Sequence, residues 1–513
     1  MEIPLPRPQQ HFLFVTNPFQ GHINPAVDDA GVLHVPYSDG FDEGFNPAVH
    51  DAGTYKAHAT ATARETLSAV VARLAARGQP VTCIVYTFLV PWVPDVACAH
   101  GVPAALFWIQ PAAVFAVYYH YFHGRDATIV ACANGPDPGA TICLPGLPPL
   151  RADALPSVVS ITSPEHRHYL VLDLVRDLFL SLDEHKPRVL VNTFDALEAD
   201  ALRAVPQFEI AAVGPVVPDA DAPPSGADLL RRHDPKAYME WLDTNPARSV
   251  VYVSFGSVLS VSKRQEVEMK RGLEATGRPY LWVARKAADE GASPDSSTSS
   301  AGNGARGPVV EWCDQVRVLS HPAVGCFVTH CGWNSTLESV TRGVPMVAVP
   351  HWTDQPTVAW LVEARMGAGV RARVDSEGVV ERGELQRCVE MVMGDGEAAS
   401  VILAQSDRWR RLASEAMSPR GTSETNLQAF AYAGAAVNTV QGLRAPSCDL
   451  RLSSSNANPA RIHDAVSSTP QNGSTLIESL FFKPKELSQM QALSPVNIYL
   501  DQCPVSCLAS ARF

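Results

Sequence analysis

The sequence predicts an α/β protein made of two doubly wound, Rossmann-like domains that face a cleft, and three observations lead to that prediction. Short apolar runs alternate with helical stretches through both halves of the chain. A proline-broken acidic segment between the two series can bury little apolar surface. The length of 513 residues exceeds what a single core usually holds. We therefore expect domains at 1–217 and 235–434, joined by a linker at 218–234.

The first half has the pattern of a parallel sheet. A compact β signal at 11–16 is followed by a Gly/Pro-rich turn at 17–25. Further strands are expected at 81–87, 104–109, 189–193 and 210–217. The main helices are expected at 54–77, 93–100 and 168–182. This alternation is typical of βαβ units, which place their strands in parallel.

The second half repeats the alternation of strand and helix. Strands are expected at 250–253, 280–284, 325–329 and 344–349. Helices are expected at 263–276 and, after a turn, at 336–339. The strand at 344–349 ends at the polar sequence Pro350 to Gln355, so these side chains fall at the carboxyl edge of the same sheet.

The block from Trp312 to Gln355 sets aromatic, amide, histidine, hydroxyl and carboxylate groups around the last two strands. Gly332, Asn334 and Ser335 open a helix beside His330. Free backbone N–H groups and the positive end of the helix dipole suit such a turn to a diphosphate, without a metal ion. Ligands of open α/β sheets bind at the same carboxyl edge. The block therefore predicts a nucleotide-sugar site.

The composition narrows the class of partner. The formal net charge of −12 argues against a general surface for nucleic acid or anionic membranes, so we expect small-molecule partners and a monomer. The N-terminus has no apolar leader, and the longest apolar stretch, 102–119, is interrupted by Gln110-Pro111. We therefore expect a cytoplasmic protein without a membrane span. Eleven cysteines without a CxxC pair fit reduced thiols.

The block WCDQVRVLSHPAVGCFVTHCGWNSTLESVTRGVPMVAVPHWTDQ, residues 312–355, resembles the signature box of the plant family-1 UDP-sugar glycosyltransferases. The resemblance extends through most of residues 11–430. Val85-Tyr86-Thr87, Pro91-Trp92 and the sequence 36–41 are similar to the branch with anthocyanin 5-O- and indole-acetate-type glucosyltransferases. The resemblance implies the GT-B fold, UDP-glucose as the donor substrate, no metal or other cofactor, and a small aglycone as the acceptor.

The resemblance also implies which residues hold each part of the donor. Trp312 offers a flat face for uracil, beside Cys313, while Gln315 and Glu338 reach the ribose hydroxyls. The phosphate-side donors are expected to be Ser257, His330, Asn334 and Ser335. The residues expected to address the sugar are Trp333, Asp354 and Gln355, and a glutamine at position 355 favours UDP-glucose over UDP-galactose.

Two of these residues have a purely structural alternative. Trp312 can be a core tryptophan. Ser335 to Glu338 has the spacing of a capping box, in which Glu338 would bond back to the start of its own helix. Under the capping alternative a substitution of Glu338 lowers stability alone, whereas under ribose binding it lowers the affinity for UDP.

The acceptor base is expected from the first half of the chain. His22 lies in the GHINP motif after the first strand, where the family has its catalytic histidine, and a neutral imidazole can take a proton from an acceptor hydroxyl. Thr87 stands where many relatives have an aspartate that orients this ring. A threonine can hydrogen-bond an imidazole but cannot offset an imidazolium charge.

From residue 27 onward, the segment after His22 is shorter than in the family. In this chain only residues 26–35 lie between the GHINP motif and the sequence 36–41. We expect the N-terminal domain to lack a strand and a helix there, which exposes apolar surface and unpaired backbone. Two functions remain open. One is an inverting glucosyltransferase acting on a hydroxyl or carboxyl of a flavonoid, anthocyanin or auxin-like metabolite. The other is a UDP-sugar-binding protein with little or no transferase activity.

Two further expectations concern the acceptor pocket and the end of the chain. The pocket candidates in the first half are Trp92, Phe115, Tyr118 and Tyr119. From about residue 435 the alternation is lost, and Ser-rich stretches such as 453–456 are typical of disorder. We expect 435–513 to be a disordered tail without a catalytic role.

Overall fold

The computed structural model describes residues 10–16, 33–41, 52–166, 168–218, 236–256, 261–284, 306–440 and 496–501. These residues form two α/β units. The first has a seven-stranded sheet and a small two-stranded ribbon, and the second has a six-stranded sheet. The prediction of an α/β fold is confirmed.

The strands are numbered in chain order. Those of the first unit are β1 (Phe12–Val15), β2 (Leu33–Tyr37), β3 (Cys83–Thr87), β4 (Ala104–Trp108), β5 (Thr141–Ile142), β6 (Leu150–Arg151), β7 (Arg188–Val191) and β8 (Ile210–Ala212). Those of the second unit are β9 (Val250–Ser254), β10 (Tyr280–Val283), β11 (Val309–Val310), β12 (Val324–Thr329), β13 (Met346–Ala348) and β14 (Gly369–Arg371). A last strand, β15 (Val496–Asp501), joins the first sheet.

The helices of the first unit are α1 (Ala52–Ala76), α2 (Val93–Ala99), α3 (Ala112–His120), α4 (Asp126–Ala133), α5 (Tyr169–His185) and α6 (Asp195–Arg203). The helices that follow are α7 (Lys236–Asp243), α8 (Lys263–Ala275), α9 (Gln315–Ser320), α10 (Trp333–Arg342), α11 (Gln355–Trp360), α12 (Arg382–Met393), α13 (Glu397–Ala416) and α14 (Thr422–Val440). Single π turns at Tyr121–Arg125 and Leu361–Arg365 extend α3 and α11.

The order of the first sheet is β2-β15-β1-β3-β4-β7-β8, and that of the second is β11-β10-β9-β12-β13-β14. All pairs of the second sheet are parallel. Its central strands β9 and β12 are buried along their whole length, as expected for strands covered by helices on both faces. The carboxyl ends of β9, β12 and β13 therefore meet at one edge.

The two carboxyl edges face each other. The indole Nε1 of Trp333, which follows β12, donates to the backbone oxygen of Asn192, which follows β7, at 2.7 Å. The Thr357 hydroxyl donates to the backbone oxygen of Ala154 at 2.7 Å, on the same side. These bonds join the second unit to the first at the cleft between them.

The last helix, α14, returns to the first unit. The ring of Phe430 lies 5.7 Å from that of Phe12 in β1, and Leu427 belongs to the first core. The Ser423 hydroxyl donates to the backbone oxygen of Gly214 at 2.6 Å. The second unit predicted at 235–434 thus ends in a helix that stabilises the first unit.

The structure differs from the prediction of a disordered tail at 435–513 in two places. Helix α14 continues to Val440, and residues 496–501 form β15 between β1 and β2. The sequence 496–501 has Val496, Ile498 and Leu500 at alternate positions, a pattern that the Ser-rich surroundings obscured. Residues 441–495 and 502–513, and most of the predicted linker at 218–234, lie outside the described residues.

One expectation about cysteine is also corrected. Seven of the described cysteines are free thiols, whereas Cys98 is disulfide-bonded.

Candidate functional site

The turn between β12 and α10 forms the centre of the site. Cys331 adopts a left-handed backbone with φ of 62°, and its N–H is held by the Thr329 hydroxyl at 3.2 Å. Gly332 is the N-cap residue of α10 and provides no capping side chain. The first turn of α10 therefore has no side-chain cap from its N-cap residue, an arrangement that suits the anion expected at this helix start.

His330 sits between two glycines that leave room for its imidazole. A Cβ atom at Gly332 would lie 2.5 Å from its Nε2, and one at Gly256 would lie 2.7 Å from its Cε1. Gly256 also has a φ of +73°, which favours glycine. The ring is thus fixed against the turn after β9 and the start of α10.

The imidazole of His330 is neutral at physiological pH. Burial, together with the nearby His351, lowers the pKa of His330 to about 4. Its Nδ1 is buried and has no hydrogen-bond partner among the described residues. A neutral ring whose Nδ1 has no partner can form a hydrogen bond with a ligand without adding charge to the site.

A second cluster links α9 to α10 through Gln315. The amide nitrogen of Gln315 donates to Glu338 Oε2 at 2.7 Å and to the Ser335 hydroxyl at 2.9 Å. The Tyr252 hydroxyl donates to the amide oxygen of Gln315 at 3.0 Å, which fixes the orientation of the amide. Burial raises the pKa of Glu338 to about 7, although the bond from Gln315 opposes the rise.

The capping-box alternative for Ser335 and Glu338 is wrong. Helix α10 begins at Trp333 with Gly332 as its N-cap, so Ser335 already lies within the first turn. The Glu338 carboxylate pairs with Gln315 of another helix. Its second oxygen is left to accept from a ligand hydroxyl.

Trp312 and Cys313 are the residues expected at the uracil ring. Trp312 is half-buried and belongs to none of the hydrophobic clusters formed by the described residues, in contrast to the core alternative. The Cys313 thiol lies 3.3 Å from the Tyr252 hydroxyl, and burial raises its pKa to about 12. The side chain of Cys313 therefore points into the protein, and only its backbone can contact a ligand.

The loop that leads into α11 carries two of the residues expected to address the sugar, Asp354 and Gln355. The Gln355 side-chain oxygen accepts the backbone N–H groups of His351 at 2.9 Å and Trp352 at 3.1 Å, so its amide nitrogen is the group that can reach a ligand. Asp354 accepts from the Thr353 hydroxyl at 2.9 Å, and burial raises the pKa of Asp354 to about 6. Both side chains are buried.

Trp333 departs from the expectation that its side chain addresses the sugar. The indole is 3% exposed, and its N–H is used by the backbone oxygen of Asn192. The indole N–H of Trp333 is therefore not available to a sugar hydroxyl. Asn334 and Ser335 lie beside it in the first turn of α10, where they were predicted.

The residues expected on the acceptor side are only partly described. His22 and Ser257 lie outside the described residues. Thr87 is buried at the carboxyl end of β3, on the edge that faces the second unit. Phe115 and Tyr118 are each 1% exposed and pack around Trp108, so the prediction that they line an acceptor pocket is wrong.

The two remaining pocket candidates differ. Trp92 is half-buried and packs edge-on against Tyr37, with ring centroids 6.1 Å apart. Tyr119 stacks on His123 at 4.0 Å, at the far end of α3 from the strand edge. Trp92 alone stays close to the cleft.

Sequence reasoning missed two supporting residues. Tyr252 was included in a strand, yet its hydroxyl orients Gln315. Ser157 of the first unit accepts from the N–H of Thr353 with its hydroxyl at 2.7 Å and donates its own N–H to Thr353 at 2.8 Å. A tyrosine within an otherwise aliphatic strand was the available signal for the first, and no sequence signal pointed to the second.

Two Rossmann-like units whose carboxyl edges meet over an open helix N-terminus define a glycosyltransferase of the GT-B class. Known proteins agree with this class. The family described as UDP-glucoronosyl and UDP-glucosyl transferase matches residues 195–404. UDP-glycosyltransferase 75C1 of Solanum lycopersicum is 40% identical over 463 residues, which cover 82% of this chain and 98% of that protein.

Two further comparisons concern the branch and the fold. Anthocyanidin 3-O-glucoside 5-O-glucosyltransferase 1 of Perilla frutescens is 40% identical over 467 residues, covering 83% of this chain and 98% of that protein. The crystal structure of Os79 from O. sativa in complex with UDP has a TM-score of 0.63 and 33% identity, covering 78% of this chain and 88% of that one. The chain belongs to the plant family-1 UDP-glycosyltransferases, and it is a UDP-glucosyltransferase of small metabolites.

No helix among the described residues is both long and apolar enough to cross a membrane.

Proposed function

We propose that this chain transfers glucose from UDP-glucose, with inversion, to a hydroxyl or carboxyl group of a flavonoid, anthocyanin or auxin-like metabolite. The observation that supports the donor assignment is the bond network of Gln315, Glu338 and Ser335 beside the open N-terminus of α10. It combines a carboxylate for two ribose hydroxyls with backbone donors for a diphosphate.

The donor is proposed to lie along α10. Trp312 stacks on uracil, and Glu338, oriented by Gln315, accepts from the ribose hydroxyls. The diphosphate lies at the helix N-terminus, with the side chains of Ser257, His330, Asn334 and Ser335 around it. Such fixed donors stabilise the charge that grows on departing UDP, and loss of one typically costs about 3–4 kcal/mol of activation free energy.

Selection of glucose is proposed to rest on the loop before α11. Gln355 has its oxygen committed to two backbone N–H groups, so it presents a donor to a sugar hydroxyl. Asp354 presents a carboxyl group and the backbone of Trp333 completes the set. A fixed donor and acceptor distinguish sugars by the orientation of their hydroxyls.

The chemical step is a single displacement. His22 takes the proton of the acceptor hydroxyl, the acceptor oxygen bonds to the anomeric carbon, and the bond from that carbon to UDP breaks with its electron pair going to UDP. Thr87 is the residue proposed to orient His22, in place of an acidic partner. A carboxylate acceptor is already ionised and needs no base.

We further propose that the enzyme acts as a cytoplasmic monomer that needs no metal ion. The positive end of the α10 dipole and uncharged hydrogen-bond donors are proposed to stabilise the diphosphate charge, as a cation does in other diphosphate sites.

The test is transfer by the purified full-length chain, with products identified by mass spectrometry and NMR. The chain is incubated with UDP-glucose or UDP-galactose, in buffer with EDTA, against phenolic hydroxyl acceptors and auxin-like carboxylate acceptors. We expect a β-glucoside or a glucose ester with UDP-glucose as the better donor. UDP binding without any product from the whole panel would favour the sugar-binding alternative.

A variant separates the two acceptor types. Substitution His22→Ala removes the base, so we expect transfer to phenols to fall by about a hundredfold or more, while transfer to carboxylates is retained. Equal loss for both acceptors would contradict the role of His22 as a base.

A further inference from the structure

The sheet of the first unit contains a strand from the far end of the chain. Strand β15 lies between β1 and β2 and is antiparallel to both. Ile498 is paired with Val15 on one side and Val35 on the other, and Leu500 with Leu13 and Leu33. The last residues of the chain thus provide an interior strand.

Among the described residues of the first part of the chain, none occupies this position, which β15 takes. Residues 16–32 alone connect β1 to β2, which run in the same direction and are separated by one strand. A parallel crossover by itself needs a dozen or more residues. That connection therefore reaches β2 but leaves no length for an intervening strand.

Without β15, strand β2 would lose its attachment to the sheet. It stands at the end of the strand order, and β15 is its neighbour. Strands lie about 4.8 Å apart, so β1 and β2 would be separated by roughly twice that distance, too far for a hydrogen bond. The facing backbone groups of both strands would then need another partner.

The sequence of the segment suits this position. VNIYLD places Val496, Ile498 and Leu500 at alternate positions, the pattern of a strand. Residues 441–495 connect it to α14, which already packs against β1 through Phe430. Loop closure becomes only slowly more costly with length, so a long connection does not prevent the return.

The strand is coupled to the acceptor side of the cleft. Tyr37, the last residue of β2, packs edge-on against Trp92 at 6.1 Å, close after β3 and Thr87. The segment after β2 is held to α1 by the Thr66 hydroxyl, which donates to the backbone oxygen of Ser38 at 2.6 Å. When β15 is in place, it holds β2 in the sheet. The contact of Tyr37 with Trp92 then holds one side of the acceptor region in position.

We propose that residues 496–501 are a complementing strand, and that the first unit reaches its native form only when this strand of the same chain occupies the position between β1 and β2. The strand occupies the position between β1 and β2 and is antiparallel to both. The proposal does not rest on the transferase activity, because it concerns the pairing of backbone strands.

Hydrogen exchange of the full-length chain tests the pairing. Ile498→Pro removes a backbone N–H from the centre of β15, and Ile498→Thr keeps the N–H and a β-branched side chain. We expect the peptides of β1 and β2 to exchange at least about tenfold faster in the proline variant and nearly unchanged in the threonine variant. Equal exchange in all three proteins would overturn the proposal.

UDP titration shows whether the second unit stays folded in the same samples. Retained UDP affinity together with fast exchange in β1 and β2 supports a defect confined to the first unit. A synthetic peptide of residues 494–503, added to a chain that ends at residue 495, is expected to restore slow exchange in β1 and β2. Failure of the peptide to restore it at any concentration counts against the proposal.

Disulfide trapping tests the register in a chain that keeps its wild-type strand. The pair V15C/I498C joins residues directly opposite each other, whereas V15C/Y499C is one register step away. We expect mild oxidation to cross-link the first pair within one chain and not the second. Equal yields for the two pairs, or a cross-link between two chains, would overturn the proposal.

Discussion

Glu338 is the residue proposed to bind the ribose of the donor. Its carboxyl group is buried, and one of its oxygens accepts a hydrogen bond from the Gln315 amide, while the other has no partner among the described residues. A buried carboxylate with a single protein partner is costly unless a ligand supplies further hydrogen bonds. The ribose hydroxyls supply such bonds in the proposed complex.

The substitution Glu338→Gln tests this role. We expect the dissociation constant for UDP to rise by about tenfold to a hundredfold, since a hydrogen bond to a charged group contributes about 1.5–3 kcal/mol. Calorimetric titration measures the change, with Glu397→Gln at an exposed helix start as the control. An unchanged dissociation constant for UDP would contradict ribose binding by Glu338.

The same variant gives a pH dependence with a definite sign. The pKa of Glu338 is about 7 in the folded chain, above its ordinary value of 4.5. A raised folded-state pKa means that the stability of the wild-type chain falls, relative to E338Q, as the pH rises from about 4.5 to about 7. Denaturant unfolding at several pH values without UDP measures this difference, and a constant difference would show that Glu338 titrates normally.

The sequence did not predict how these candidate site residues are arranged. Gln315 and Glu338 were assigned to the ribose only through the resemblance, and nothing in their spacing showed that they bond to each other. Trp333 was assigned to the sugar, whereas its indole joins the two units. Which way a side chain points at the start of a helix depends on the neighbouring unit, and local sequence does not contain that information.

The turn from β12 into α10 is the element that leaves room for the His330 ring. Its glycines do not merely permit a bend, because Gly332 has a backbone φ of −61° that any residue can adopt. The glycine is required because a Cβ atom would lie 2.5 Å from Nε2 of His330. The sequence predicted a strand, a turn and a helix here, but it placed the helix start three residues late because a glycine N-cap gives no side-chain signal.

Gly332→Ala tests this element. We expect the added methyl group to displace His330 and to lower kcat/KM for UDP-glucose by about a hundredfold, the cost that a displacement of about 1 Å can have. The backbone conformation itself suits alanine, so any fall in melting temperature should come only from the displaced imidazole. Gly383→Ala in α12, where nothing lies within 4 Å of the new atom, is the control and should keep full activity. Wild-type kinetics for G332A would show that His330 has no part in donor binding.

At the scale of the whole molecule, the two units were predictable and the bonds between them were not. Alternating strands and helices predicted two parallel sheets, since each pattern is local. The return of α14 to β1, the entry of β15 into the first sheet and the contact of Ser157 with Thr353 join residues far apart in the chain. Such contacts depend on tertiary packing, and their individual sequences resemble many other helices, strands and turns.

The contact of Ser157 with Thr353 gives the last prediction. The Ser157 hydroxyl accepts the N–H of Thr353, whose φ of 53° needs support, and this loop carries Asp354 and Gln355, which are proposed to bind the sugar. In Ser157→Ala we expect UDP affinity to be unchanged and kcat/KM for UDP-glucose to fall about threefold to tenfold, the size of a neutral hydrogen bond. Ser163→Ala, at an exposed position of the same loop region, is the control. Equal weakening of UDP and UDP-glucose would show that the contact supports the whole cleft and not the sugar end.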